Sequence, residues 1–277
     1  MSLRIDRLSP ALGAEISGLD PAVEITAGLA DELHGLLMEH QVIFMRDYDL
    51  APTKMTELGQ ALGTLGARHH SYVTHPESDD VVIIEWKGDD LPDAAEWHSD
   101  MTYRETPPFA SILKGVVIPP AGGDTLWASM YSVYDSLPSG MKADLAELEA
   151  VHDMGAFRTP AYRDGGNDGI LEAYTNAKTA VHPMVSHHPV TGRPYLNVSE
   201  SFTRFIIGLS APESGRLLTE LFDRINRPEH HVRLRWKPNT MAIWDNRGTQ
   251  HYAVIDYLPS RRVMHRVAVV EDARQPV

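Results

Sequence analysis

Two spacings of apolar residues alternate along the chain and predict a mainly β protein with a few helices. Apolar positions three and four residues apart, typical of an amphipathic helix, predict helices at residues 29–40, 141–151 and 212–226. A fourth helix is predicted at residues 52–62, where Pro52 suits a first helical position and Gly63 a helix end. Short β-branched or alternating runs predict strands at residues 14–17, 41–46, 81–86, 111–117, 125–130, 231–236, 240–244 and 261–270. Many short strands with few helices indicate a β-sandwich or barrel.

The sequence is expected to form one domain. It contains no internal repeat, low-complexity tract or linker, so we assign residues 1–277 to a single unit. Residues 157–179 are rich in Gly, Asp and Asn, which favours a long loop, and we expect this loop to act as a lid.

Charge and hydropathy exclude two classes of partner. The chain has 38 acidic and 25 basic residues, a net charge of -13, and no basic block, which argues against binding nucleic acid. No apolar run approaches the roughly 20 residues of a transmembrane helix, and residues 1–10 lack a signal-peptide core. We therefore expect a cytoplasmic protein that does not associate with membranes.

The absence of cysteine restricts the possible chemistry. It excludes disulfides, thiolate zinc sites, cysteine-ligated iron–sulfur clusters and cysteine nucleophiles. A metal site in this chain must therefore use nitrogen and oxygen ligands, for which 14 histidines are available.

Three separated residues form a candidate metal site. His98 and Asp100 lie two residues apart, so an extended strand would point both side chains to one face. That pair alone is a weak signal, because a solvated strand edge gives the same pattern. His251, after a predicted strand and turn, supplies a third ligand. Two histidines and one carboxylate form the facial triad of non-haem Fe(II) oxygenases, with positions open for a co-substrate and O2.

A group of arginines follows the third ligand. Arg262 lies eleven residues after His251, and a strand there could bring its guanidinium near the metal pocket. Arginine suits the binding of a carboxylate through two parallel hydrogen bonds. Together Arg261, Arg262 and Arg266 make a positive cluster in an acidic chain, which favours a small anionic substrate. Alternation along the strand predicts that Arg261 points away from Arg262 and is exposed.

Four motifs resemble the TauD/TfdA family of Fe(II)- and 2-oxoglutarate-dependent dioxygenases, and within it the taurine dioxygenases. The motifs are WHSDMTYRETPP (residues 97–108), GGDTLW (122–127), HPVTGRPYLNV (188–198) and AIWDNRGTQHYAVIDYLPSRRVMHR (242–266). The resemblance extends weakly to the amino terminus through GAEISGLD (13–20) and HQVIFMRD (40–47), so it covers nearly the whole chain.

The resemblance implies a fold, a cofactor set and roles for five residues. The fold is a double-stranded β-helix, or jelly roll, with helices packed outside. His98, Asp100 and His251 would bind Fe(II), and Arg262 with Thr125 would bind the distal carboxylate of 2-oxoglutarate, which reacts with O2. From the residue alone, the better interpretation of Thr125 is an ordinary β-branched residue filling a strand position. The family also implies a homo-oligomer, a dimer or a tetramer.

The resemblance further implies a substrate pocket. Arg266 would pair with the anionic head of the substrate, and His69 and Tyr72 would assist it. His70 is an alternative to His69, because the loop offers two adjacent histidines. Phe202 would form an aromatic wall of the pocket, although a core phenylalanine is an almost equally good interpretation.

Three hypotheses for the substrate and function of the chain stay open. The first is taurine or another alkylsulfonate, which would release sulfite and an aldehyde. The second is an alkyl sulfate ester, a phosphonate or an aryloxyalkanoate, because Ala94 stands where taurine dioxygenases have a substrate-binding asparagine. The third is a non-catalytic zinc-binding protein using the same ligands, against which Arg262 is the main argument.

Overall fold

The structure is a computed structural model that describes residues 3–66, 72–88, 96–154 and 179–276. Several predicted features lie outside these residues: His69, His70, Ala94 and all but the last residue of the proposed lid at 157–179. Their roles stay predictions.

Five α-helices lie in the described residues, and the four predicted helices are among them. The helices are α1 (Ala27–His40), α2 (Pro52–Leu62), α3 (Met130–Asp135), α4 (Ser139–Ala146) and α5 (Ala211–Ile225). The Thr26 side chain caps α1 by accepting a hydrogen bond from the backbone N–H of Leu29. Pro52 occupies the start of α2, as its fixed φ and missing N–H favour. None of the helices in the described ranges combines the length and apolar character needed to cross a membrane.

Strands make up most of the regular structure. They are β1 (Arg4–Arg7), β2 (Ala14–Ser17), β3 (Val42–Met45), β4 (Gly63–Leu65), β5 (Val73–His75), β6 (Ser78–Trp86), β7 (Ala110–Val117), β8 (Thr125–Ser129), β9 (Glu149–His152), β10 (Ala180–Pro183), β11 (Val185–His187), β12 (Pro194–Leu196), β13 (Thr203–Ile206), β14 (His231–Leu234), β15 (Met241–Asp245), β16 (Thr249–Ala253) and β17 (Arg262–Asp272). The expected mainly β class with covering helices is confirmed.

In the described residues the strands form four sheets, and a large sheet shares a core with a smaller one. The large sheet has the order β1-β2-β3-β15-β7-β17-β6-β5, with β4 paired to β17. Its pairs are antiparallel except β2 with β3. The smaller sheet has the order β14-β8-β16. The turn between β15 and β16 passes from the large sheet to the small one, so it joins the two layers directly.

Apolar side chains form three clusters, one between the two sheets and one on the outer face of each sheet. Between the sheets lies an aromatic cluster that includes Phe44, Trp127, Trp236 and Trp244, packed against Met264 of β17. Helices α1 and α2 cover the outer face of the large sheet. Helices α3 and α5 share a second outer core with the small sheet. The interior between the sheets is where the candidate site lies.

One predicted element is partly wrong. Residues 141–151 were expected to be a helix, but α4 ends at Ala146 and Glu149–His152 is strand β9. β9 is the central strand of a three-stranded sheet with β10 and β13 on either side. Ala150 and His152 are fully buried there. Pairing on both edges, made with strands far along the chain, outweighs the local helical spacing.

A buried cation holds the β15–β16 turn to the end of β17. Arg247 Nη2 lies 2.6 Å from Asp245 Oδ2 and 2.9 Å from Asp272 Oδ2. His188 Nε2 donates to Asp245 at 2.9 Å, and His34 Nε2 lies 3.0 Å from Asp272. Burial alone would raise the pKa of Asp245, but the charge of Arg247 and these hydrogen bonds hold it below its usual range. Both carboxylates are therefore ionised partners of one arginine.

We predict that Arg247→Met lowers the free energy of unfolding by about 3–5 kcal/mol, because it leaves two buried carboxylates without their counter-charge. Urea unfolding measures the change. Arg261→Met is the matched control, since the ion pair of Arg261 with Glu85 is exposed and its loss should hardly move the midpoint. The paired carboxylates have lowered pKa values, so the advantage of the wild type should shrink as the pH falls below about 4. Equal effects of the two substitutions would contradict this account.

Candidate metal and anion site

The two candidate histidine ligands are brought together by a backbone bridge. The N–H of His98 donates to the carbonyl of His251 at 3.1 Å, and the N–H of His251 donates back at 2.8 Å. This bridge adds the segment at His98 to the edge of β16 and places the two ring centroids 4.1 Å apart. The chain then turns, with Met101 at φ 50°. The predicted regular strand through this motif is therefore only a single bridge.

Asp100 completes a three-residue cluster. One ligand atom from each of His98, Asp100 and His251 can be chosen so that all three lie within 4.8 Å of one another. The Nδ1 of His98 is 2.8 Å from the carbonyl of Glu96, to which it can only donate, so Nε2 keeps its lone pair. His251 Nε2 faces Asp100 Oδ1 at 3.8 Å. Two imidazole nitrogens and one carboxylate oxygen fit a first-row divalent metal.

The protonation states also suit a metal. Burial, with the neighbouring His98, lowers the pKa of His251 well below its usual value, so the ring is neutral. Burial alone would raise the pKa of Asp100, but the charges of Arg266 and the histidines and a hydrogen bond from Ser111 outweigh it. The pKa of Asp100 therefore lies well below its usual range, and the carboxylate is ionised. Metal binding requires these two states.

Arg262 is a buried cation that forms no ion pair with a carboxylate of the described residues. Its residue exposure is 6%, and its Nε donates to the carbonyl of Gly123 at 3.2 Å. No carboxylate in the described ranges lies within ion-pair distance of its guanidinium, and burial lowers its pKa. Arginine nevertheless stays charged at neutral pH. Because an unpaired buried charge is costly, this position indicates a binding site for an anion.

Thr125 lies close to Arg262 and has a free donor. It follows Gly123 by two residues at the start of β8, and its Oγ1 accepts a hydrogen bond from Trp236 Nε1 at 2.9 Å. The Thr125 hydroxyl proton is given to no acceptor in the described part of the chain, so it can be donated to a bound ligand. In the pairing of β8 with β16, Thr125 lies opposite Ala253, two residue pairs along from the Trp127–His251 pair.

The two interior arginines share one face of β17. Arg262 and Arg266 are four residues apart, and the regular pairing with β6 over this stretch points both to the interior. Their Cα atoms are about 13 Å apart at the usual strand rise. Arg261 is exposed and pairs with Glu85 at 3.0 Å, as alternation predicts. Arg266 donates to Asp100 Oδ2 and to Ser111 Oγ, so it touches the cluster directly.

Aromatic side chains border the cluster. Phe202 is buried, and its ring meets that of His98 edge-on with centroids 6.2 Å apart. Tyr103 packs on Phe202 at 5.4 Å. Burial raises the pKa of Tyr103, and the charges of Asp100 and Arg266 act on its phenol, so this ring also lies near the cluster. The predicted neighbourhood of Phe202 is thus present in the structure.

Tyr72 lies farther from the ligands along the sheet. It precedes β5, and the next residue, Val73, pairs with Ile83 of β6, which pairs with His265 of β17. Tyr72 therefore lies two strands away from β17, close to the row of paired residues that contains His265, the neighbour of Arg266. Its predicted partner His69 is outside the described residues. The substrate roles of both residues stay predictions.

Four nearby residues escaped sequence reasoning. Ser111 and Asn246 lie behind Asp100, Trp236 contacts Thr125, and Tyr103 packs on Phe202. Tyr103 and Asn246 lie inside motifs already recognised, so position in the motif was an available signal. Ser111 and Trp236 occur in or beside ordinary strand patterns and carried none.

Comparison with known proteins agrees with this geometry. The family model described as taurine catabolism dioxygenase TauD, TfdA family matches residues 4–268. An alkylsulfatase of Acinetobacter baylyi is 33% identical over 96% of this chain and 84% of that protein. An alpha-ketoglutarate-dependent sulfate ester dioxygenase of Pseudomonas putida is 32% identical over 97% and 90%. The crystal structure of a taurine dioxygenase from Burkholderia xenovorans matches with a TM-score of 0.82 and 31% identity, covering 98% of this chain and 92% of that one.

We predict that the cluster binds a divalent metal and that His251→Ala abolishes this binding. Titration of the metal-free protein with Mn(II) without oxygen, followed by calorimetry, measures the affinity. His187→Ala is the matched control, because His187 is an exposed histidine on β11 and its loss should leave the affinity unchanged. Retention of metal by His251→Ala would show that the ligand set is wrong.

Proposed function

We propose a function from one premise, which is that the chain belongs to the TauD, TfdA family. It is a 2-oxoglutarate-dependent dioxygenase with the jelly-roll fold expected from its motifs. We propose that it uses Fe(II), 2-oxoglutarate and O2 to hydroxylate the carbon that bears the sulfur group of a small alkyl sulfate ester or alkylsulfonate.

One observation carries this proposal: the three-ligand cluster shares its interior with a buried arginine, Arg262, that forms no ion pair within the described part of the chain. Iron bound by His98, Asp100 and His251 would keep open positions for a bidentate co-substrate. Arg262 would supply the counter-charge for the far end of that co-substrate. A non-catalytic zinc protein would use the same ligands, but it would bind no anion to offset the cost of burying the charge of Arg262.

The residues of the site have distinct proposed tasks. Bound iron with 2-oxoglutarate and O2 supplies the oxidising chemistry. Arg262 binds the distal carboxylate of 2-oxoglutarate, and the free proton of Thr125 donates to the same group. These two contacts fix the co-substrate at one end, so its oxo-acid end is presented to the metal. The aromatic interior excludes water from the pocket.

Arg266 is the proposed receptor for the sulfur group. Its Nη2 is engaged by Asp100 and Ser111, but Nη1 and Nε have no partner in the described parts of the chain. These donors can bind the oxygens of a sulfo group, which sulfate esters and sulfonates share. Phe202 and Tyr103 offer an apolar wall for an alkyl chain. The substrate carbon next to sulfur would thus lie beside the metal.

The products distinguish the two substrate classes. Hydroxylation of the carbon in a sulfate ester gives an adduct that breaks its C–O bond, releasing sulfate and an aldehyde. The same step on a sulfonate breaks the C–S bond and releases sulfite and an aldehyde. In both cases 2-oxoglutarate is converted to succinate and CO2. The alkylsulfatase and sulfate ester relatives support the first class, and the taurine dioxygenase structure supports the second.

We expect Fe(II) and 2-oxoglutarate, added to metal-free protein without oxygen, to give the weak visible charge-transfer band of a 2-oxo-acid chelate. A panel of alkyl sulfates, alkylsulfonates, phosphonates and aryloxyalkanoates is then assayed with O2 for sulfate, sulfite, phosphite and phenol. Release of sulfate or sulfite coupled to succinate supports the proposal. Coupled turnover only of the phosphonates or aryloxyalkanoates would replace the substrate class, and absence of the band with iron bound would overturn the dioxygenase chemistry.

We expect Arg262→Leu to raise the KM for 2-oxoglutarate at least 100-fold, because a buried charge pair with the distal carboxylate is lost. Steady-state succinate formation measures this change, and Mn(II) titration should show an unchanged metal affinity. Arg261→Leu is the control, since this neighbouring arginine is exposed. An unaltered KM in Arg262→Leu would show that Arg262 does not bind the co-substrate.

A further inference from the structure

The two oxygens of the Asp100 carboxylate are not equivalent. Oδ1 faces His251 Nε2 at 3.8 Å, on the side of the metal ligands. Oδ2 accepts hydrogen bonds from Ser111 Oγ at 2.9 Å and from Arg266 Nη2. Rotation of the carboxylate out of this orientation would break both of these bonds. The carboxylate therefore presents one fixed oxygen to the cluster.

Ser111 is the centre of this arrangement. It lies on β7, is fully buried, and has three polar neighbours around its hydroxyl oxygen. Arg266 Nη2 is 3.0 Å away, and Asn246 Nδ2 is 3.4 Å away; both can only donate. The single hydroxyl proton must then go to Asp100 Oδ2. One proton given and two accepted use the whole hydrogen-bonding capacity of a serine hydroxyl.

A hydrogen bond between Trp244 and Asn246 sets the direction of the hydrogen bonds around Ser111. The indole N–H of Trp244 donates to Asn246 Oδ1 at 2.9 Å. This bond fixes which end of the Asn246 amide is the oxygen, so Nδ2 must face Ser111. A directed chain of hydrogen bonds thus runs from Trp244 through Asn246 and Ser111 to Asp100. Such chains strengthen each bond by polarisation.

We propose that Ser111 is a positioning residue that fixes the carboxylate of Asp100 and the guanidinium of Arg266 relative to each other. This inference rests on the proposed metal site and on the proposed role of Arg266. The hydroxyl holds Oδ2, so Asp100 would offer its other oxygen, Oδ1, to a bound metal. It also takes one hydrogen of Arg266 Nη2, which orients Nη1 and Nε for the substrate.

Loss of a positioning serine should weaken the binding of metal and substrate but not that of 2-oxoglutarate. Loss of a purely structural serine would not produce this difference. Loss of the Ser111 hydroxyl loosens both Asp100 and Arg266, so binding of metal and of the sulfo substrate should weaken. Arg262 lies about 13 Å from Arg266 along β17, and it makes no contact with Ser111. The KM for 2-oxoglutarate at saturating metal should therefore stay constant.

The test compares Ser111→Ala with Ser214→Ala in the full chain. Ser214 is also buried, and it accepts a hydrogen bond from the backbone N–H of Ile206 at 2.9 Å, in the α5 region. Both variants lose one buried hydroxyl, so thermal unfolding controls for general destabilisation. The measurements are the dissociation constant for Mn(II) without oxygen, and the KM values for 2-oxoglutarate and for the substrate identified by the product panel.

We expect the Mn(II) dissociation constant of Ser111→Ala to rise about tenfold, in the range found for groups that orient metal ligands. Its substrate KM should rise several-fold, with the 2-oxoglutarate KM within twofold of the wild type. Ser214→Ala should match the wild type in all three. Unchanged metal affinity in Ser111→Ala, with metal bound by the wild type, would overturn this inference alone. A wild type that binds no Mn(II) would overturn the proposed metal site and this inference with it.

Discussion

The geometry of the site depends on the buried arginine that joins two strand ends. Arg247 lies between Asp245, at the end of β15, and Asp272, at the end of β17. The turn it holds leads directly into β16, which carries His251, and the strand it holds carries both interior arginines. One buried cation between two carboxylates therefore sets the relation between the metal ligands and the anion-binding residues. A hydrophobic contact would leave that relation less directional.

The site itself keeps charges in the interior at an energetic cost. Asp100 is tolerated because Arg266 and Ser111 satisfy one of its oxygens, and the remaining oxygen is directed to the histidines. Arg262 forms no ion pair among the described residues, which offer it a hydrogen bond to the Gly123 carbonyl and the more distant charge of Asp124, itself paired with Arg233. An interior cation of this kind lowers stability until an anion arrives, so the free energy spent in folding is recovered on binding. Arg266 is thus already paired with Asp100, whereas Arg262 is left to pair with the anion that we propose it binds.

Much of this arrangement follows from local sequence rules. Alternation along β17 correctly separated exposed Arg261 from buried Arg262, because side chains on a strand alternate between faces. The spacing of His98 and Asp100 correctly indicated two side chains that reach one place, although the backbone turns there instead of continuing as a strand. The helix predicted at residues 141–151 is wrong in its second half, because β9 is fixed by partners distant in sequence. Ser111 could not be recognised, since its importance comes from Asp100, Arg266 and Asn246, which three other segments supply.

The roles proposed for the two arginines of β17 would let one scaffold keep its co-substrate site constant while its substrate site varies. Arg262 and Thr125 are anchored by Gly123 and Trp236, away from Asp100. Arg266 is anchored on Asp100 and Ser111, and the walls beside it are the side chains of Tyr103 and Phe202. Changes to those walls alter the shape around the substrate without touching the anchors of Arg262. Because Arg266 donates to Asp100, the proposed metal ligand, the anionic head that Arg266 is proposed to bind could not move independently of a bound metal.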